Sequence, residues 1–135
     1  DLNIEVVRKP NDGYWSNTWL KDPWVASYWG GRPTEDWMFS QVYSENAIAT
    51  GWSETKFVHQ KFEKLLVQAR AELNDAKRRE MYVEMQQIVH DNCSVIIPIF
   101  SAYGHASTSN VKRGSKVASN WEFDGHKNAE RWWMG

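Results

Sequence analysis

The strongest hydrophobic pattern lies in the middle of the chain. Phe57, Phe62, Leu65, Leu66, Ala69 and Leu73 recur at helical spacing, and Met81, Tyr82, Met85, Ile88 and Val89 do so again after Asn74-Asp75. Two apolar stripes of period 3.6 predict two amphipathic helices, with the Asn-Asp pair interrupting the first and capping the second. So short a joint predicts an αα-hairpin whose stripes face each other or a common sheet. Near the start the period changes to two. Leu2, Ile4 and Val6 alternate with Asn3, Glu5 and Val7, which predicts a strand over Leu2–Arg8. Pro10-Asn11-Asp12-Gly13 then reads as a turn with Asp12 as N-cap, opening a helix over Gly13–Leu20 that carries Trp15 and Trp19 at i, i+4. Pro23 ends it, and Trp24–Trp29 reads as a second, well-buried strand. Strand, helix, strand with short joints predicts a right-handed βαβ unit and hence parallel pairing.

Gly30-Gly31-Arg32-Pro33-Thr34 leaves that second strand. Thr34 is placed to cap a helix reaching to Tyr43, with Glu35 and Asp36 at the positive end of its dipole. A loop is expected over Ser44–Ser53, which contains Gly51. Beyond the hairpin, Cys93–Phe100 reads as a buried strand, and Pro98 makes it an edge, a bend or a crossover. From Ser101 the pattern fades, and Trp121, Phe123, Trp132 and Trp133 close the chain. Left exposed, such a tail makes a larger apolar patch than soluble monomers normally carry, so it is expected to pack on further chain. The fold class these elements predict is α/β, a mixed sheet packed by helices. No internal repeat or low-complexity tract interrupts the pattern.

Composition narrows the function classes. At 135 residues, with 41% apolar and 24% charged residues, the chain has the size and make-up of one globular domain, neither disordered nor collagen-like. A net charge of −1 leaves no electrostatic footprint for nucleic acid and no cationic face for anionic lipid. One cysteine excludes an internal disulfide framework and a multi-cysteine zinc site. No apolar run reaches membrane-spanning length. The excess is in tryptophan, nine of them, with five Tyr and five Phe. The chain opens without an initiator Met, within a strand-like pattern, and is expected to be a piece of a longer protein whose targeting signal lies elsewhere.

Few residues suggest chemistry. His59, His90, His105 and His126 are far apart in sequence, with no i, i+4 metal pair, and read as surface or core histidines. Cys93 reads as a small core hydrophobe, Met81 and Met85 as helix packing, and Lys77-Arg78-Arg79 as a solvated face. Glu35 and Asp36 do not face each other, and the helix dipole accounts for them. Nucleophile-elbow, phosphate-loop and H-E-x-x-H motifs are absent, so neither an enzyme nor a cofactor is expected. One segment stands apart: Tyr28-Trp29-Gly30-Gly31-Arg32. It sits at the carboxyl end of a predicted parallel strand, where open α/β sheets form ligand crevices. Its glycines allow close backbone approach, and its arginine is able to fork a carboxylate beside an aromatic wall. The competing reading is a Gly-rich turn whose arginine pairs with a structural carboxylate.

That segment and the elements after it resemble the C-terminal part of the family 5 solute-binding proteins of ABC transporters, the bacterial dipeptide- and oligopeptide-binding receptors. The resemblance runs through the strand Leu2–Arg8, Gly13-Tyr14-Trp15, the aromatic stretch ending Tyr28-Trp29-Gly30, and Ala69-Arg70-Ala71-Glu72. It continues with Arg78-Arg79-Glu80-Met81-Tyr82 and Ile96-Ile97-Pro98-Ile99-Phe100. It implies a two-lobed, periplasmic-binding-protein-like fold, with residues 1–94 forming part of the second lobe and 95–135 a return strand and tail toward the first. It further implies capture of a peptide or related small solute between lobes, delivery to ABC permease subunits, and a location in the periplasm or anchored at the outer face of the cytoplasmic membrane. Trp29 matches the tryptophan lining the pocket of the peptide receptors. Arg32 stands where they carry an aspartate for the peptide's amino group, so an anionic group is expected there instead. Tyr103 falls near a stretch that borders the cleft. An isolated fragment of this kind is prone to self-association through surfaces the missing lobe covers. Two rivals remain open at this point: a carbohydrate-binding module using exposed tryptophans, and an interaction domain whose aromatic tail docks a partner chain.

Overall fold

A computed structural model describes residues 3–135. In chain order its elements are α1 (Tyr14–Asn17), α2 (Glu35–Met38) running into a π-helical turn (Phe39–Tyr43), α3 (Glu45–Ala49), α4 (Gln60–Ala71) and α5 (Asp75–Asn92). They continue with β1 (Val111–Arg113), α6 (Glu122–His126), α7 (Asn128–Arg131) and β2 (Trp132–Met134).

The core is the expected hairpin closed over the π turn. α4 buries Phe62, Leu65, Leu66 and Ala69, and α5 buries Met85, Ile88 and Val89. Phe39, Val42 and Tyr43 of the π turn complete the cluster with Phe57. Phe62 lies at its centre, edge-on to Phe39 at 5.3 Å and to Phe57 at 5.6 Å between ring centroids. Local chemistry fixes the helix ends. His59 caps α4, its Nδ1 accepting from the Phe62 N–H at 3.3 Å, and Asn74 caps α5 by accepting from the Lys77 N–H at 3.1 Å. Arg78 donates to the Glu72 carbonyl at 3.0 Å across the joint and also pairs with Asp75. Leu73 lies past the end of α4 and is 91% exposed, so the first stripe stops one member early. A polar fastener ties α2 to the hairpin: Arg70 pairs with Asp36 at 2.8 Å and bonds Ser40, and the Tyr82 hydroxyl reaches Asp36 at 3.4 Å. Asp36 thus does more than face the helix dipole.

The sheet departs from expectation. Among the described residues the parallel βαβ unit does not form. Residues 3–8 and 24–29 pair with no strand, and Leu2 lies outside the described residues. Asp12 does not cap; Gly13 does, in the left-handed conformation (φ 71°), and the helix it opens spans only Tyr14–Asn17 before Leu20 itself turns left-handed (φ 58°). Cys93–Phe100 is likewise unpaired, with Ile96, Ile97, Ile99 and Phe100 exposed. The physical reason is common to all three segments. A strand satisfies its backbone only on a neighbour, and these segments find none among the described residues. The expected loop over Ser44–Ser53 instead contains α3, capped by the Ser44 hydroxyl accepting from Ala47 N–H at 3.2 Å. The sheet that does form is antiparallel and two-stranded, pairing Val111 with Met134, Lys112 with Trp133 and Arg113 with Trp132. The chain is therefore a small, helix-dominated mixed fold. None of its described helices is long and apolar enough to cross a membrane.

Its accessible surface is 10844 Å². A compact monomer of 15.8 kDa exposes about 7,300 Å². Part of the surplus lies on the unpaired segments, where Val6 and Phe100 are 88% and 90% exposed.

Two predictions test this core. Phe62→Ala empties the centre of the cluster and is expected to cost about 3–5 kcal/mol in urea unfolding. Burial, reinforced by Cys93 and Glu54, pushes the Tyr43 hydroxyl from its ordinary 10.0 up to about 12. The folded state then holds this proton at pH values where the unfolded chain has released it. Stability is therefore full below pH 10 and falls as pH rises toward about 12, by about 2–3 kcal/mol. Urea midpoints at pH 8 and pH 11 should separate in the native chain and separate less in Tyr43→Phe.

Candidate functional site

The Tyr28–Arg32 segment crosses the return segment. The Gly31 N–H donates to the Tyr103 hydroxyl at 2.9 Å, joining residues 72 positions apart. The Asn120 carbonyl also closes on Gly31, so tightly that a Cβ there would lie 2.3 Å from the oxygen. Gly31 is needed for close approach, as its sequence context suggests, though here another part of the chain fills that space.

Arg32 folds back over its own loop. Its Nη1 donates to the Gly30 carbonyl at 2.9 Å and the Gly31 carbonyl at 3.2 Å, and its Nε donates to Gln41 Oε1 at 2.9 Å. Gln41 is positioned by the π turn, a geometry often found at functional sites. The guanidinium lies over Trp29 at 5.6 Å and Trp37 at 5.9 Å from the ring centroids. No carboxylate pairs with it among the described residues, and its Nη2 makes no hydrogen bond to them. Trp29, Gly30, Gly31, Arg32 and Tyr103 therefore converge. Tyr28 does not join them; it is 78% exposed and meets Trp15 edge-on at 5.8 Å.

Gln41 and Asn120 were not foreseen from the sequence, and neither was Glu54. Its Oε1 accepts from the Trp19 indole N–H and the Ser27 hydroxyl, and its Oε2 accepts from the Trp29 indole N–H at 3.0 Å. Three segments meet on one carboxylate, which holds Trp24–Trp29 in place where a sheet was expected; the Tyr14 hydroxyl adds a bond to the Ala26 carbonyl at 2.6 Å. Around it the rings form a continuous tract. Trp15 meets Trp19 at 5.7 Å, and Trp52 meets both Trp19 and Trp29 at 5.9 Å. Beyond Arg32, Trp37 meets Trp121 at 5.8 Å. No local sequence signal pointed to Glu54: a half-buried indole needs an acceptor for its N–H, but the two indoles that Glu54 serves lie 35 and 25 positions away.

The far wall depends on a strained turn. Phe123, Asp124, Gly125 and His126 all have positive φ, from 49° to 66°, a left-handed run that costs about 1–2 kcal/mol per non-glycine residue. Asp124 compensates. It is 2% exposed and accepts from Ala118 N–H at 2.6 Å, Arg131 at 2.9 Å and the Trp132 indole at 3.3 Å. The aromatic tail thus packs largely within the chain, on Trp37 and around Asp124, although Phe123 and Trp133 stay half-exposed.

The remaining candidates have local roles. His59 is a helix cap, His90 pairs with Asp91 at 2.8 Å, and His126 with Glu122 at 3.2 Å; His105 accepts from Phe123 N–H at 3.2 Å. Cys93 packs against the core beside Thr55, and burial pushes its thiol up. No group of three or more potential metal ligands occurs among the described residues. The site thus consists of aromatic faces, one guanidinium, one carboxylate and backbone carbonyls. Comparisons with family models, curated proteins and solved structures found no match.

The crossing at Gly31 is directly testable. Gly31→Ala must displace Asn120 or break the Tyr103 bond, and should destabilise by about 1–3 kcal/mol. Gly114→Ala, where an added Cβ meets nothing within 4 Å, should stay within about 0.5 kcal/mol of the native chain in the same unfolding assay.

Proposed function

We propose that this chain is the C-terminal portion of a solute-binding receptor of an ABC importer, of the family 5 type. In this reading it contributes one side of an interlobe cleft that captures a peptide or related small solute and presents it to the membrane permease. The observation that carries the reading is the meeting of Gly31 and Tyr103 at 2.9 Å. The two elements that the resemblance assigns to the cleft lie together, beside a guanidinium stacked on Trp29. The unpaired apolar segments and the large surface support it too, since the rest of such a receptor would supply both strand partners and cover. Ligand binding between lobes would favour the closed form, which a permease can then distinguish.

The helix-dominated core weighs against the carbohydrate-binding alternative, because such modules are usually all-β. The aromatic pairs are also mostly edge-to-face or tilted rather than laid out as a flat platform.

Arg32 sets the ligand's charge. Its Nη2 offers N–H groups to an anion while Nη1 and Nε remain on the loop and Gln41, so the expected contact is end-on rather than the two-pronged fork. The solute should therefore carry a carboxylate or a comparable anionic group. In the full-length receptor, Arg32→Ala is expected to weaken solute binding by about 2–4 kcal/mol. Native mass spectrometry of the gently purified receptor should release an acidic small molecule on denaturation. A cationic solute, or unchanged affinity in Arg32→Ala, would remove the arginine from the argument.

A further inference from the structure

We propose that Glu54 and the indoles around it form a binding site for an organic ammonium group. Three observations carry this. First, all three of Glu54's hydrogen-bond donors are neutral: two indole N–H groups and a serine hydroxyl. Among the described residues no Lys, Arg or His lies within ion-pair distance of it. A half-buried carboxylate with no counter-charge is a place where an arriving cation gains most.

Second, the carboxylate keeps an unused acceptor position. Two ionised oxygens offer about four acceptor positions. Oε1 uses two and Oε2 one, which leaves Oε2 able to take another N–H.

Third, the surroundings suit a cation. Trp52 is 45% exposed and touches both indoles that hold Glu54, and Trp15 is 48% exposed against Trp19. Indole faces attract ammonium groups through their quadrupole, most strongly where water is partly excluded.

Trp29 connects this site to Arg32. The guanidinium lies over its face, and Glu54 takes the N–H at its edge. Opposite charges therefore flank a single ring, matching a small zwitterion whose ammonium and anionic groups are a short span apart. Joining the two ends in one ligand rests on the solute-receptor reading; the ammonium site does not.

The test uses the 135-residue chain, isotopically labelled, titrated with n-butylammonium chloride while the indole N–H resonances are followed. Saturable shifts of Trp19 and Trp29 are expected. Glu54→Gln should weaken binding about tenfold or more, and Trp52→Ala about threefold or more while leaving the Glu54 bonds in place. Gly114→Ala, where an added Cβ meets nothing within 4 Å, should leave butylammonium binding unchanged. Shifts that track ionic strength alone, as with sodium chloride, would overturn the proposal, as would equal affinity in Glu54→Gln and the native chain. A parallel titration with sodium butyrate separates the two readings. Butyrate binding that Arg32→Ala does not alter counts against the anion reading at Arg32 and leaves the ammonium result standing.

Discussion

The core of the described residues depends on the closure of the α4–α5 hairpin over the π turn. Phe62 occupies the middle of that contact with no exposed surface, and Phe39, Phe57 and Met85 surround it. Fully burying a side chain of this size contributes about 1.5–3 kcal/mol relative to leaving it in water, and eleven buried residues share the cluster. The π turn is the point where core and site meet. Its buried residues, Phe39, Val42 and Tyr43, face the hairpin, while Gln41 accepts from Arg32. A change that loosens the core at Phe39 should therefore also disturb the side chain holding the arginine.

The hairpin was legible because helical information is local. Stripe, length and the Asn74 cap all lie within the segment that folds, and each points the same way. Strand information is not local. Alternation in Leu2–Arg8 and the apolar run Val95–Phe100 specify faces that want burial, but a pattern does not name the neighbour that supplies the ladder. With no such neighbour among the described residues, the same sequences lie open. The site divides along the same line. Trp29, Gly31, Arg32 and the more distant Tyr103 were readable from a motif and a resemblance. Gln41, Glu54 and Asn120 were not, since each acts through a tertiary contact made by an ordinary polar residue or a backbone carbonyl that no local pattern marks. The fastening of Asp36 by Arg70 belongs to the same class.

The unpaired segments also bear on what the surface is for. An excess of about 3,500 Å² over a compact monomer is more than one partner's share of an obligate interface, about 1,000–2,500 Å². Val6, Ile96, Ile99 and Phe100 are among the residues so exposed. Backbone without a ladder and side chains without a core are the two deficits that a neighbouring sheet removes together. Such segments suit a neighbouring protein surface better than they suit a small ligand.

The aromatic tract is held differently from the core. Residues 24–32 have no backbone ladder; they are pinned by Glu54, by the Tyr14 hydroxyl and by the Tyr103 hydroxyl. Segments tied by a few side-chain bonds open at lower free energy than a packed hairpin does. Here those ties bear the residues that would meet a ligand. Occupation of Arg32 and Glu54 would add bonds to a segment that has few, and the segment would tighten against Tyr103 and the Asn120 carbonyl. A ligand that strengthens this crossing would couple binding to the relative position of residues 28–32 and 103–121. The rigid hairpin beneath would stay unchanged, serving as the fixed base for that movement.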